Sequence, residues 1–195
     1  MDQGVAALAG AAIGGAAAAL AAVIAGRAAR HQARSQERIW RNETRREIYT
    51  TYYAALHAAI GASHAMAMQA IGVVLRAGSG RDAGLAQIEQ ERSPERQQER
   101  DEAGRLVAEL TSLHARVVFE GPSSVREVAK ELVQTVHHDH AFCLAIVVPH
   151  DGEPPAHEYL SAIREQLAST EDRLSELAER FLTETTRVLD GEIAP

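Results

Sequence analysis

The sequence predicts an all-α protein: an N-terminal transmembrane helix, a long stalk helix, and an antiparallel up-down-up-down four-helix bundle resembling a coiled coil. Three observations predict this fold class. An uninterrupted apolar stretch lies near the N-terminus, and alanine, leucine, glutamate and arginine, all strong helix formers, dominate the composition. Further along, apolar residues recur at spacings of three and four, which is the period of one helix face.

Residues 4–26 contain no polar side chain and consist mainly of alanine and glycine. A helix of this length extends about 35 Å, enough to cross about 30 Å of hydrocarbon. Gly10 and Gly14 are spaced by four, as are Gly15 and Ala19, and such ridges of small residues let two spanning helices approach closely. We therefore expect a transmembrane helix over 4–26, with Gly10, Gly14 and Gly15 as candidate contacts of a homo-oligomer.

Arginines follow this segment and none precedes it, so the positive-inside rule predicts a single-pass protein of the cell membrane. Its N-terminus should lie outside and its C-terminal domain in the cytoplasm. Six arginines spaced by three or four form a stripe along the stalk, residues 27–47. They are Arg27, Arg30, Arg34, Arg38, Arg41 and Arg45.

Anionic membrane lipids are the partner expected for this stripe, since each arginine near a membrane surface can gain ~1 kcal/mol from them. A topology signal on a solvated helix face is the alternative. Nucleic acid is not an expected partner, because the net charge of the chain is −7.

Four apolar faces then predict a cytoplasmic bundle over residues 48–190. Its helices are expected at about 48–76, 94–119, 125–148 and 156–190. A glycine-rich stretch at 77–84, Gly121-Pro122 and the prolines of 149–155 separate them. Ser93-Pro94 and Ser123-Ser124 are typical of helix starts with a serine cap.

The last helix carries the most regular pattern in the chain, a heptad seam over four repeats. Its members are Leu160, Ile163, Leu167, Thr170, Leu174, Leu177, Phe181, Glu184 and Val188. An intermolecular coiled coil would produce the same pattern and stays open as an alternative to a bundle within one chain.

Candidate chemistry is sparse. His137 and His140 form a His-x-x-His pair and are weak candidate metal ligands, but the Glu-x-x-His pattern of helical metal sites does not occur. No glycine-rich phosphate loop or nucleophile elbow is found, and Cys143, the single cysteine, lies in an apolar run. We expect no cofactor and no enzymatic activity.

The opening architecture, residues 1–59, resembles that of small actinobacterial single-pass membrane proteins. The resemblance rests on the uncharged segment 4–26, the arginines of 27–38, Trp40-Arg41, Arg45-Arg46 and Tyr49. It implies an anchored helical protein and no particular activity. The sequence thus favours a membrane-anchored scaffold or adaptor that binds an unknown protein partner, and a membrane-active oligomer, such as a pore-forming toxin or defence effector, is the alternative.

Overall fold

The computed structural model describes residues 2–77, 94–146 and 157–191, with side chains from residue 22 onward apart from a few near the helix ends. These residues form four helices: α1 (Asp2–Ala77), α2 (Pro94–Glu120), α3 (Ser123–Ala145) and α4 (His157–Leu189). The described ranges contain no strand, which confirms the all-helical fold class. The connections predicted at 77–84 and 149–155 lie almost wholly outside the described residues.

The chain divides into two compact units, Met1–Thr44 and Arg45–Pro195, and the division falls inside α1. In the first unit, every residue from Ala22 to Glu43 is exposed. Where side chains are described, no helical stretch is long and apolar enough to cross a membrane. The predicted transmembrane segment 4–26 has a helical backbone, but most of its side chains lie outside the described part.

In the second unit, side-chain contacts fix the directions of the helices. The Tyr52 hydroxyl donates a hydrogen bond to the Ala129 carbonyl at 3.0 Å, and Ser63 contacts His140 further along both helices, so α1 and α3 run parallel. The short connection at Gly121 and Pro122 makes α2 antiparallel to α3. Residues 131–142 of α3 line one groove with 166–173 of α4, and α4 also runs antiparallel to α3.

Two apolar clusters form the interior of this unit. The first apolar cluster surrounds Tyr52, Leu56, Leu132 and Phe181, and the Tyr52 and Phe181 rings lie 5.0 Å apart. The second apolar cluster consists of Met66, Ala67, Ala70, Ile71, Cys143, Ile146 and Ile163. Full burial of a Leu or Phe side chain stabilises a fold by about 1.5–3 kcal/mol, so these clusters supply much of the stability.

The turn between α2 and α3 differs from the sequence prediction. Pro122, not a serine, is the N-cap residue of α3, and no side chain caps this helix end. Ser123 is already helical, and the Ser124 hydroxyl is buried without a hydrogen-bond partner among the described residues. The prediction of a serine cap here was wrong because the helix begins immediately after the proline.

The predicted heptad seam of α4 faces the interior. Ile163, Leu174, Leu177, Phe181 and Val188 are buried, and the remaining seam positions are partly buried. On α2, the buried face ends with Val117, and the next residue, Val118, is 38% exposed. The heptad seam of α4 therefore packs against other helices of the same chain.

Candidate functional site

Four polar residues separate the two apolar clusters, and we call them the polar layer. They are Ser63 and His64 of α1 and Asp139 and His140 of α3. Along α1 it follows Ala59 of the first apolar cluster and precedes Met66 of the second. Ser63 and Asp139 are buried, and the two histidines are half-buried. Buried polar groups are costly unless they find partners, so their arrangement matters for both stability and function.

His64 and Asp139 form an ion pair across α1 and α3. His64 Nε2 lies 3.2 Å from Asp139 Oδ2, and the Asp139 side chain is 1% exposed. Neither carboxylate oxygen has a hydrogen bond of ordinary geometry among the described residues. The hydrogen-bonding contact with Asp139 raises the pKa of His64, and it outweighs burial, which lowers it.

Ser63 and His140 form the second pair of the polar layer. Ser63 Oγ lies within hydrogen-bonding distance, 3.1 Å, of His140 Nδ1. His140 also faces α2, since a Cβ built on Gly104 would lie 4.0 Å from its Nε2. Burial lowers the pKa of His140, and the neighbouring His137 adds to that effect.

The polar layer does not form a nucleophilic triad. Asp139 contacts His64, whereas Ser63 contacts the other histidine, so no carboxylate orients the imidazole beside the hydroxyl. Ser63 is 0% exposed, which closes its hydroxyl to a substrate. Cys143, one turn beyond Asp139, is also unreactive because burial raises the pKa of its thiol to about 12.

A groove of about 720 Å³ runs between α3 and α4 and reaches the polar layer at Asp139. Its α3 wall includes Glu131, Thr135 and Phe142, and its α4 wall includes Thr170 and Arg173. The walls thus carry both an acidic and a basic side chain, together with two hydroxyl groups. The groove is a concave, partly polar surface, and the Asp139 carboxylate lies buried beneath it.

The two candidate metal ligands do not converge. His137 Nε2 lies 2.9 Å from the Thr111 hydroxyl of α2, whereas His140 contacts Ser63 of α1. Within the described residues, no group of three or more His, Cys, Asp or Glu side chains could hold a metal ion. Each histidine instead links α3 to a different neighbouring helix.

The arginine stripe divides between the two units. Arg27, Arg30, Arg34, Arg38 and Arg41 are exposed, and Arg41 forms an ion pair with Glu37 at 2.6 Å. Arg45 belongs to the second unit, where its Nε donates to the Glu120 carbonyl at 2.9 Å. This sixth arginine therefore provides a hydrogen-bond donor for one of the last backbone carbonyls of α2. The candidate oligomerisation residues Gly10, Gly14 and Gly15 lie where side-chain surroundings are not described.

Sequence reasoning missed Ser63, His64 and Asp139 as a group. Asp139 continues the α3 stripe of Leu132 and Val136 at a spacing of three, and Ser63 lies seven residues after Leu56. A polar residue at a seam position predicts a buried polar contact, and this signal was available. The residues that pair across the helices could not be read from one sequence.

Comparison of the chain with protein-family models, with curated proteins and with solved structures finds no match in any of the three. The class that the fold and the site define is an all-helical bundle with an internal polar layer.

Proposed function

We propose that this protein is a membrane-anchored adaptor whose helical bundle acts through protein–protein contacts. The anchor in this proposal is the apolar segment 4–26, and the arginines of 27–41 follow it on the cytoplasmic side. Those arginines are exposed, so they can meet anionic lipid headgroups, although Arg41 is also paired with Glu37. An adaptor of this kind needs an anchor, a spacer and a binding surface.

The exposure of Phe119 supports a binding surface on the bundle. Its side chain is 91% exposed at the carboxyl end of α2, beside Val118, which is 38% exposed. An aromatic side chain can bury about 150–250 Å² in an interface, and such residues dominate interface energetics. A phenylalanine held on the last turn of a rigid helix, which Arg45 secures at Glu120, is well placed to anchor a partner.

Phe119→Ser in the full-length chain tests this proposal. Recovery of partner proteins from membranes of the native host, quantified by mass spectrometry, should fall at least tenfold. The free energy of unfolding should change by no more than about 0.5 kcal/mol, since the side chain is exposed. Leu144→Ser is the matched control, because Leu144 is 50% exposed on α3 and should leave recovery unchanged.

A membrane-active oligomer is the competing function, and its support is the spacing of Gly10 and Gly14. Overexpression separates the two functions. A pore former depolarises cells, and Gly10→Leu with Gly14→Leu relieves the effect. An adaptor leaves the membrane potential unchanged in both cases, so depolarisation relieved by these substitutions would overturn the proposal.

A further inference from the structure

The second half of α1 differs from the other helices in its lack of charge. Residues 48–75 contain no Asp, Glu, Lys or Arg, whereas in α2, α3 and α4 no more than seven residues separate one charged residue from the next. A surface helix normally turns a charged face to solvent, and a helix without such a face is normally buried. The composition of 48–75 is therefore that of a helix with neighbours on every side.

The bundle covers only one face of this part of α1. The buried face contains Tyr52, Leu56, Ala59, Met66 and Ala70. At 3.6 residues per turn, a second row of residues lies on the opposite side of the helix, and all of its members are exposed. We call this row the outer face, and it consists of Ala54, Ala58, Gly61, Ala65, Met68 and Leu75. Met68 is 62% exposed and Leu75 is 48% exposed, so large apolar side chains as well as small ones face solvent.

The outer face has the spacing and the shape that a second helix requires. From Ala54 to Met68 its members alternate at spacings of four and three, which is the seam pattern of a coiled coil. Nothing lies within 4 Å of a Cβ built on Gly61, so the centre of the face is open. Alanine and glycine let two helix axes approach to about 8 Å.

Charge indicates which helix can pack there. The net charge of the chain is −7, so two copies repel each other over most of their surfaces. The exposed faces of α2 and α4 carry acidic side chains such as Glu109 and Glu165. Two copies can pack closely where neither contributes a charge, and the outer face of α1 meets this condition when it packs against itself.

The area of such a contact is sufficient for a specific interface. Residues 54–75 span about 32 Å at 1.5 Å per residue. A contact strip about 15 Å wide would cover about 500 Å² on each copy and about 1,000 Å² in total, which is the lower limit for a specific interface. A dissociation constant in the micromolar range is expected for this size.

We infer that the outer face of α1 is a homodimer interface, at which it pairs with the same face of a second copy of this chain. Ala65 lies near the midpoint of 54–75, so it faces its counterpart in the second copy whether the two helices run parallel or antiparallel. The interface belongs wholly to the second unit. The inference therefore does not depend on the proposed anchor.

Disulfide crosslinking of the purified full-length chain in detergent, at micromolar concentration, tests this inference. Ala65→Cys should form a covalent dimer under mild oxidation, because the facing thiols lie within disulfide reach. The parent should stay monomeric on the same gel, since its one thiol, Cys143, is 2% exposed and burial raises its pKa to about 12. Ala115→Cys, at an exposed alanine of α2, is the matched control and should give at least tenfold less dimer.

Two substitutions at Gly61, each made in the Ala65→Cys chain, test the face itself. Gly61→Glu should lower crosslinking at least tenfold, because it would bury a charge between the two copies. The single chain has open space at this position, so the loss would not reflect unfolding, and circular dichroism checks this. Gly61→Ala should leave crosslinking unchanged, since alanine is already present at positions 58 and 65.

The inference is overturned if Ala65→Cys forms no more dimer than Ala115→Cys does. It is also overturned if the folded Gly61→Glu chain crosslinks as well as the Gly61→Ala chain, because a dimer held only by segment 4–26 would not respond to either change. The same oxidation in membranes of the native host tests for a different occupant. An adduct of Ala65→Cys with another protein, and none with a second copy, would contradict the homodimer.

Discussion

At the scale of single residues, the contact between His64 and Asp139 couples the stability of the bundle to proton binding. The unfolded pKa of histidine is near 6.5, and the contact with Asp139 raises the folded value. The stabilisation is fully present below about pH 6.5 and is lost as the pH rises through the folded pKa. Glu171 of α4 reinforces this effect, and burial opposes it.

His114 and His140 act in the opposite direction. Burial lowers the pKa of each, with Lys130 adding to the effect at His114 and His137 at His140. Their stabilisation is present above about pH 6.5 and is lost as the pH falls through the lowered values. The pH dependence of the free energy of unfolding therefore combines opposite contributions from these histidines, and a variant of His64 is needed to isolate its own contribution.

We predict that His64→Gln lowers the free energy of unfolding by roughly 2 kcal/mol at pH 5.5 and by much less at pH 8.5. This figure is below the ~3–5 kcal/mol expected for breaking a fully buried pair, because the His64 side chain is 23% exposed. Urea denaturation of parent and variant at both pH values measures the change in the free energy of unfolding. His57→Gln, seven residues earlier on the exposed side of α1, is the control; an equal loss at both pH values would refute the coupling.

Residue types were easier to predict than residue partners. The apolar run around Cys143 is typical of a buried segment, and Cys143 is indeed 2% exposed. The burial of Asp139 was not predicted, because a carboxylate is usually solvated and the neighbouring histidines are typical of a metal-binding pattern. Only the packing of α1 against α3 supplies the cation that makes its burial tolerable.

At the scale of elements, the turn between α2 and α3 depends on Gly121. A Cβ at this position would lie 2.7 Å from the Val117 carbonyl oxygen and 3.4 Å from the Tyr49 hydroxyl. Gly61 of α1 has nothing within 4 Å of its virtual Cβ. The same substitution should therefore have opposite effects at the two sites.

Gly121→Ala should destabilise the protein by about 1–3 kcal/mol, because backbone must move to relieve the overlap. Gly61→Ala should stabilise it by about 0.5–1 kcal/mol, since alanine is the better helix former. Thermal unfolding of both variants beside the parent is the measurement. Similar shifts at both positions would show that the turn is not as tightly packed as described.

The interior seam of α4 gives a second prediction at this scale. Leu174 is 2% exposed within the first apolar cluster, so Leu174→Asp should destabilise the protein by about 4 kcal/mol or more. Leu182→Asp introduces the same charge on the same helix at a side chain that is 43% exposed, and it should cost less than about 1 kcal/mol. Equal loss of helical circular dichroism in the two variants would contradict the assigned face.

The positions of the helices followed from apolar spacing, and α2 begins at the predicted Pro94, whereas the first residue of α3 was not predicted. α4 was predicted over 156–190 and spans His157–Leu189, because its heptad repeat is almost unbroken. At the start of α3, Pro122 occupies the N-cap position that the sequence offered to Ser123 or Ser124. It directly follows Gly121, whose N–H bonds to the Val117 carbonyl at the end of α2. Such local competition is decided by tertiary packing.

At the scale of the whole molecule, the two units differ in composition and burial. The first unit, Met1–Thr44, holds the apolar segment 4–26 and the exposed arginines, and the second, Arg45–Pro195, contains both apolar clusters and the polar layer. In the proposed function, the first unit would supply the anchor and the second unit the surface that binds a partner. The proposal of a membrane-anchored adaptor requires both properties in one chain.

The most direct test of this central proposal is protease protection in cells expressing the full-length chain with a C-terminal reporter. We predict that the reporter sediments with membranes, resists carbonate extraction and survives protease added to intact cells. Deletion of residues 1–26 should release the same reporter into the soluble fraction. Full solubility of the intact chain, or cleavage of residues 45–195 by external protease, would contradict the proposed anchor and its orientation.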